Sequence, residues 1–516
     1  MYDLKTGIHL STIQKQLQAL SSTDIYQKFV LSDQDILIKT TISLCDQCKT
    51  YTPACVFEHG EQVLIKKQCD THGIRQAVLE NDKRFYRLSN KDQWGKSYSL
   101  NHKIDFPVFN SISNSANGCC DPTTGCCPST KQTNNNQTWR ESFADQSDNK
   151  TCTVLVEVTN ACDLACRVCY ADAKGDKVIP LNQFKRYMTD LILLKEQIDS
   201  IQITGGEALL HPQIWDIFDW LYAQNQVKKI YLPTNGIQLS KGETYKKLLP
   251  YKNKLLVLLQ FDGEEIATNQ ALRHANPLKI RLKVLKNLNH IGIAMQLTMT
   301  LSYGVSEKEI AWVVSQGKKY KNVRLIAMQP AFFAGRYELP HYANERLTLS
   351  DVAKGVANAF PKYVTQNDFL PIPCSHPNCG WVTLFVRRFG LFINIAKFVD
   401  LDSIMSDVAN KTLLDQQELR GMLGTNKHGF FKTLFAKISR YLIRTEDVFG
   451  IVIKPFMDQF NYDQDRVSAC CHHTLNNDGQ LISFCEYNVR YREQDNWNKF
   501  DSIKVVQIAD IENELT

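Results

Sequence analysis

The chain has 516 residues, 43% hydrophobic and 22% charged, a composition typical of a soluble globular protein built from about two to four modules. A net charge of +6 is too small for this length to indicate a nucleic-acid-binding protein. Neither a secretory leader nor a run of about 18 apolar residues is visible, so we expect a cytoplasmic protein. In that compartment, the 17 cysteines are more often metal ligands or catalytic groups than disulfides.

The first cysteine group predicts a metal-binding ribbon over about residues 40–90. Cys45 and Cys48 precede Cys69 and His72, and the 20 residues between Cys48 and Cys69 fall within zinc-ribbon spacing. A strand-like segment, EQVLIKKQ, leads into the second half. The metal is zinc or rubredoxin-like mononuclear iron, because sulfur-rich tetrahedral ligation suits both. Cys55 is assigned to the core.

The second cysteine group is a tight turn followed by a linker. The sequence GCCDPTTGCCPST contains Pro and Gly residues that favour turns, which bring together the thiols of Cys119, Cys120, Cys126 and Cys127. Two alternatives stay open here: an auxiliary cluster that uses some of these thiols, or a mobile redox-sensitive loop. The polar stretch 129–150 indicates a linker, because nothing in it can fill a core.

Alternating strands and helices follow between residues 151 and 340. Helical segments such as 181–197 and 276–292 separate six apolar runs, at 153–158, 198–204, 228–234, 255–261, 293–300 and 323–330. This alternation predicts an α/β fold with a parallel sheet buried on both faces, here a partial (β/α)6 barrel. In such barrels the chemistry collects at the loops that follow the carboxyl ends of the strands.

Three cysteines lie in the loop after the first of these strands. Cys162, Cys166 and Cys169 are spaced CxxxCxxC. Iron–sulfur cubanes normally take four thiolates, so three thiolates from one loop leave one iron open to a small molecule. A structural zinc site is the alternative, but it takes four protein ligands, and no fourth Cys or His lies within reach in the loop.

The CxxxCxxC motif resembles the radical S-adenosylmethionine (radical SAM) superfamily, and the similarity continues at the later strand ends. It implies that Gly205, Gly206 and Glu207 hold the amino group of SAM, and that Gln260 and Asp262 lie where the superfamily binds the ribose. Val168 replaces the usual aromatic residue before the third cysteine, and Tyr170 follows it. Asn235 and Gln329 complete the implied cofactor site. The resemblance also implies a reductant such as flavodoxin or ferredoxin.

The last cysteine group joins two distant segments. Cys374, Cys379, Cys470 and Cys485 are enough for a fully ligated auxiliary 4Fe–4S cluster, with Cys471 as a buried neighbour. The predicted organisation is therefore a ribbon region (1–100), a Cys-rich turn with its linker (101–150), a radical SAM core (151–340), and a C-terminal auxiliary-cluster and substrate-binding region (341–516).

The order of these motifs resembles the tetraether lipid synthases and the class D radical SAM methylases over about residues 40–490. It implies an enzyme that functionalises an unactivated carbon, by C–C bond formation on a lipid-like substrate. The alternatives are methylation of a small molecule or cofactor with a methylene-folate-type donor, and a non-catalytic redox or metal sensor. The basic amphipathic stretch 430–444 suits either peripheral contact with a membrane or a helix packed on the barrel.

Overall fold

The computed structural model describes residues 4–88, 151–195, 197–340, 343–372, 375–388, 391–395 and 444–505. The predictions for Cys119–Cys127, for Cys374 and for residues 430–443 lie outside these ranges. No helix within the described ranges is both long enough and apolar enough to cross a membrane.

The N-terminal part is a four-stranded antiparallel sheet, which we call the ribbon sheet. Its strands pair in chain order, and the helix α1 packs against β1 and β2. The elements are α1 (Leu4–Ala19), α2 (Ser22–Lys28), β1 (Ile36–Leu44), β2 (Tyr51–His59), β3 (Gln62–Cys69), β4 (Gly73–Glu80) and α3 (Lys83–Leu88). Cys55 lies at the centre of β2 and is fully buried, as predicted.

The six predicted apolar runs form six parallel strands, in the order β5, β8, β9, β10, β11, β12. The elements of this part are β5 (Thr153–Thr159), β6 (Val168–Cys169), β7 (Lys177–Val178), α4 (Leu181–Lys195), β8 (Ile198–Gly205), α5 (Ile214–Ala223), β9 (Val227–Thr234), α6 (Ile237–Ser240), β10 (Leu255–Gln260), α7 (Ile266–Arg273), α8 (Leu278–Ile291), β11 (Met295–Leu301), α9 (Ile310–Lys319) and β12 (Val323–Pro330). Every residue of β5 is buried, as expected for a parallel strand covered on both faces. The predicted α/β barrel is confirmed.

The C-terminal part adds strands to both edges of this barrel sheet. Strand β17 pairs in parallel with β12, and β18 pairs in parallel with β5. Its elements are β13 (Arg336–Tyr337), α10 (Leu349–Ala359), β14 (Leu370–Pro371), β15 (Trp381–Arg388), β16 (Leu391–Asn394), β17 (Val448–Ile453), α11 (Gln464–Ser468), β18 (His472–Leu475), β19 (Leu481–Ser483), α12 (Phe484–Glu486) and β20 (Asp501–Ser502).

The sequence predicted a C-terminal extension added after the barrel, whereas the structure places part of the C-terminal region in the barrel sheet itself. The edge strands of an open sheet carry a row of unpaired N–H and C=O groups. Strands β17 and β18 pair with these groups on β12 and β5, so the C-terminal part completes the wall of the barrel on both sides.

Buried polar contacts fasten the ribbon sheet to the segment before β18. Lys39 Nζ lies 2.8 Å from Asp463 Oδ2 and 2.7 Å from Asp465 Oδ2, with all three side chains almost completely buried. Burial disfavours the charge of Lys39, but the two carboxylates outweigh it and raise the pKa of Lys39 well above its usual value. Thr41 donates to Asp463 Oδ1 at 2.6 Å, and Ser43 donates to the Tyr462 carbonyl at 2.6 Å.

We expect Lys39→Met to destabilise the protein by about 3–5 kcal/mol, because it leaves buried carboxylates without their cation. The matched control is Lys49→Met. Lys49 also joins the ribbon sheet to the C-terminal part, through Glu493 at 3.0 Å, but both side chains are exposed, so a change of about 0–1 kcal/mol is expected. Denaturant unfolding compares the two variants. An equal loss of unfolding free energy in the two variants would show that the buried ion pairs stabilise the protein no more than the exposed one.

Candidate functional site

A cavity of about 350 Å³ lies inside the barrel, at the carboxyl ends of the parallel strands. Side chains that alternate along β8, β9, β10, β11 and β12 line it, together with residues from β5, β17 and β18. Cys162, Cys166 and Cys169 line the same cavity, beside Gly205–Glu207. The barrel therefore brings the three-cysteine loop and the GGE turn to one cavity.

The three thiols share one small apolar cluster with Leu164, Ile237 and Ile280. Burial raises the pKa of the Cys162 thiol well above its usual range, and the neighbouring charge of Cys166 adds to this. Burial also raises the pKa of Cys166, while Arg273 opposes the rise by donating to the thiolate. A bound cationic centre would offset the cost of keeping these thiolates ionised in an apolar environment.

The spread of these thiols does not suit a single metal ion. Over the residues that the structure describes, Cys45, Cys48, Cys69 and His72 form the one group of metal-ligating side chains whose ligand atoms all lie within 4.8 Å of one another. Two sulfurs on one zinc are at most about 4.6 Å apart, since each Zn–S bond is about 2.3 Å long. Cys162, Cys166 and Cys169 do not meet this limit together, and the 4Fe–4S cluster is the centre that their CxxxCxxC spacing implies by its resemblance to the radical SAM superfamily.

The Gly205–Gly206 turn packs directly against the backbone that leads into the cysteine loop. The amides of Gly206 and Glu207 donate to the carbonyls of Thr159 and Ala161 at 2.9 and 2.8 Å. A Cβ on Gly205 would come within 2.0 Å of the Thr159 carbonyl oxygen, and one on Gly206 within 2.0 Å of the Ala161 oxygen. Glycine is therefore required at both positions to hold the cysteine loop against the turn.

Glu207 uses its carboxyl group to join two strand ends. Its Oε2 accepts from Thr234 Oγ1 at 3.1 Å and from the Asn235 amide at 2.9 Å, and its Oε1 accepts from the Leu209 amide at 3.3 Å. Burial, together with the nearby charge of Asp163, raises the pKa of Glu207 to about 8. The carboxyl group thus links the GGE turn to the loop after β9, which also borders the cavity.

Asp262 is held by two arginines on the helices behind β10. Arg273 contacts its two carboxylate oxygens at 2.8 and 2.7 Å, and Arg281 Nη1 donates to Oδ2 at 2.9 Å. Burial opposes the negative charge, but the arginines outweigh it and keep the pKa of Asp262 below its usual value. Asp262 is fully committed to these pairs, whereas Gln260 faces the cavity.

The other residues assigned to the cofactor also border the cavity. Asn235 donates to Asp163 Oδ1 at 2.7 Å and accepts from the Ile237 amide at 2.9 Å. Gln329 lies at the end of β12 and lines the cavity. Tyr170 stacks on Phe332, with ring centroids 5.8 Å apart, and burial raises its pKa to about 12. Their roles toward SAM stay predictions.

The four ribbon ligands converge at one end of the ribbon sheet. Cys45 and Cys48 lie in the β1–β2 turn, and Cys69 and His72 come from the β3–β4 turn, which an antiparallel meander places at the same end. Cys45 Sγ is 3.4 Å from His72 Nδ1, and Cys48 Sγ is 3.8 Å from Cys69 Sγ. Burial opposes ionisation of Cys48, but hydrogen bonds from Thr50 and the neighbouring thiols lower its pKa to about 6. This set fits one tetrahedral zinc or iron ion.

Three of the four cysteines predicted to hold an auxiliary cluster lie within the described ranges. Cys379, Cys470 and Cys485 are close enough for their charges to interact, and burial raises the pKa of Cys485 to about 12. Arg466 Nε donates to Cys379 Sγ at 3.4 Å, and the Met457 amide donates to Cys485 Sγ at 3.3 Å. Cys471 is a buried neighbour, as predicted. A cluster at this place stays a prediction.

Several residues of the site were not predicted from the sequence, because they lie outside the motifs and reach the site from other elements. Arg273 and Arg281 reach the strand ends from the helices α7 and α8. Lys454 and His472 line the cavity from β17 and β18, strands that the motif analysis did not identify. The apolar run FGIVI directly before Lys454 was the available strand signal.

We expect alanine at Cys162, Cys166 and Cys169 together to remove one cluster's worth of iron and to leave the ribbon metal in place. Conversely, alanine at Cys45 and Cys48 removes one mononuclear metal and leaves the sulfide content unchanged. Elemental analysis of anaerobically purified protein measures both and decides between zinc and iron in the ribbon. Joint loss of all metal in either variant would contradict two separate sites.

We expect Glu207→Ala to weaken SAM binding roughly tenfold or more, because the loop after β9 loses its link to the GGE turn. Glu207→Gln is the control, because its amide oxygen can still accept from Thr234 and from the Asn235 amide and loses only the longer contact with the Leu209 amide. Equilibrium binding measures the SAM affinity of each variant, and the absorbance of the cluster confirms that the cluster content is unchanged. Equal SAM affinities in the two variants would contradict this role.

The matches with known proteins cover both the barrel and the ribbon. Residues 156–315 match the family model of the radical SAM superfamily, and residues 37–81 match that of the HMPTM N-terminal zinc ribbon domain. Among curated relatives, the 7,8-dihydro-6-hydroxymethylpterin dimethyltransferase of Methanocaldococcus jannaschii is 27% identical over 508 residues, which cover 88% of this chain and 94% of that protein. The antilisterial bacteriocin subtilosin biosynthesis protein AlbA of Bacillus subtilis is 28% identical over 244 residues, or 45% of this chain and 52% of that protein.

Among solved structures, Streptococcus suis SuiB bound to S-adenosylmethionine aligns with a TM-score of 0.36 and 14% identity, over 64% of this chain and 70% of that one. A structural similarity this low carries no information about the site. The family match over the strands and the three-thiol loop that borders the cavity lead to the same conclusion. The chain contains a radical SAM domain over residues 156–315 and a zinc ribbon domain over residues 37–81, and it is a radical SAM enzyme with a 4Fe–4S cluster and SAM as cofactors.

Proposed function

We propose that this enzyme is a methyltransferase that replaces a C–H bond of a reduced pterin, or of a closely similar heterocycle, with a C–CH₃ bond. The observation that carries the proposal is the match with the Methanocaldococcus jannaschii dimethyltransferase, which extends over 88% of this chain and is not confined to the barrel. The ribbon match, residues 37–81, is to a domain described for the same kind of protein.

The chemical character of the cavity supports a small polar substrate. Amide and hydroxyl groups face it from neighbouring strands: Gln202, Tyr231, Gln260, Gln296, Thr298, Thr300 and Gln329. The side chains of Gln202 and Gln329 have no hydrogen-bond partner in the described part of the chain. An amide offers both a donor and an acceptor, which is the pattern along the edge of a nitrogen heterocycle.

The lipid version of the prediction has less support. It depended on a resemblance to lipid synthases and on the amphipathic stretch 430–444, nearly all of which lies outside the described residues. No feature in the described part of the chain indicates a lipid substrate or contact with a membrane. C–C bond formation on a lipid therefore stays a prediction. The sensor hypothesis is wrong, because the chain is a radical SAM enzyme.

Each part of the chain has a defined task in such a reaction. Cys162, Cys166 and Cys169 would hold the cluster, which with bound SAM would supply the one-electron chemistry that breaks an unactivated C–H bond. Glu207 links the loops that border the cofactor, and Arg273 with Asp262 fixes the end of β10. Tyr170, Phe332 and Phe484 form a contiguous aromatic wall on one side of the cavity. The enzyme also requires an external reductant.

The test is anaerobic turnover of the reconstituted enzyme with SAM, a reductant and 6-hydroxymethyl-7,8-dihydropterin. We expect a product heavier than the substrate by one or more CH₂ units, together with 5′-deoxyadenosine. Deuterated methyl groups in SAM, and separately a labelled methylene-folate, identify the methyl donor. The control is the variant with alanine at Cys162, Cys166 and Cys169. A product formed from lipid extract but not from the pterin would contradict the proposal.

A further inference from the structure

A lysine and a histidine meet across the open side of the barrel sheet. Lys454 directly follows β17, which pairs with β12, and His472 begins β18, which pairs with β5. Lys454 Nζ lies 2.5 Å from His472 Nε2, and both side chains line the cavity. The contact therefore joins the two strands that complete the barrel wall, at a place that faces bound ligands.

The charge of Lys454 is not balanced by a carboxylate. Among the other ionisable groups of the described lining, Arg273 is paired with Asp262 and Glu207 accepts hydrogen bonds from Thr234 and Asn235, so neither carboxylate is a partner of Lys454. For Lys454 the structure gives an imidazole and an aromatic ring as side-chain partners among the described residues. The charge of Lys454 also acts on the nearby Cys470 thiol, but the half-buried ammonium has no carboxylate partner among the described residues, so a ligand that accepts a hydrogen bond from it is favoured.

Aromatic rings lie beside this ammonium group. Nζ is 6.0 Å from the centroid of the Phe456 ring, and Phe456 in turn contacts Phe332 at 5.3 Å and Phe484 at 4.6 Å between ring centroids. All three rings line the cavity. A flat aromatic ligand can pack on these faces while an oxygen on its edge reaches Lys454.

The count of cations limits the charge of that ligand. A dianionic phosphate is usually held by several cations or by bidentate arginine. In the described lining Lys454 is the one cation without a carboxylate partner, so it suits an oxo oxygen or at most one negative charge. Lys454 also directly follows β17, which lies beyond the strands whose ends carry the predicted SAM site.

We propose that Lys454 is a specificity residue that donates a hydrogen bond to the ring oxo group of a flat, uncharged or singly charged heterocyclic substrate. This inference rests on the proposed function, because it assigns the pterin's lactam oxygen to Lys454. It further predicts that the enzyme selects the free hydroxymethyl compound over its phosphate ester.

The test is a binding cycle with two ligands and two proteins, carried out anaerobically on the cluster-loaded enzyme. The ligands are 6-hydroxymethyl-7,8-dihydropterin and the analogue in which an amino group replaces the oxo group. We expect the wild type to prefer the oxo compound, and Lys454→Met to bind it roughly tenfold or more weakly. The variant loses the preference, because the amino analogue gains nothing from Lys454.

Lys254→Met is the matched control, because Lys254 is also half-buried but donates to the carbonyls of Tyr222 and Gln224, outside the cavity. Iron content and SAM affinity are measured for each protein, and Lys454→Gln replaces the methionine variant if that one does not fold. A preference unchanged in the Lys454 variant would overturn the inference alone. Weaker SAM binding with unchanged pterin binding would assign Lys454 to the cofactor instead. A wild type that binds neither pteridine would overturn the proposed function and this inference together.

Discussion

The close approach of the cysteine loop to the Gly205–Gly206 turn is the constraint on which the active site depends. The carbonyls of Thr159 and Ala161 accept hydrogen bonds from the turn, and the space between the two segments leaves no room for a Cβ. This packing positions the start of the loop that carries Cys162. It also positions Glu207, which bonds to the end of the next strand. Three thiols, the GGE turn and the loop after β9 thereby border one cavity, although they come from three separate strand ends.

The remaining wall of that cavity comes from the other end of the chain. Parallel sheets leave edges that must be paired or covered, and β17 and β18 pair with both edges of the six-strand barrel. The same segments carry Cys470, Cys485, Lys454 and His472. One segment of the chain thus pairs with the sheet edges and also places reactive side chains beside the cavity.

The ribbon sheet stabilises this C-terminal segment from outside. Lys39 contacts Asp463 and Asp465, which lie at the start of α11, a few residues before Cys470. Tyr51 of the ribbon sheet donates to Glu486, the residue after Cys485. The folded ribbon sheet therefore holds the segments that carry Cys470 and Cys485.

Local pattern was enough to predict the six barrel strands, the ribbon and the three-thiol loop. Each depends on short spacing: apolar runs bounded by turns, CxxC followed by CxxH, and CxxxCxxC after a strand. Tertiary structure alone decided the pairing of Lys39 with Asp463, 424 residues apart, and the contact of Lys454 with His472 on opposite sheet edges. It also showed that Asp262 is occupied by Arg273 and Arg281. Such contacts leave no periodic signal in the sequence, because they arise only when separate elements pack together.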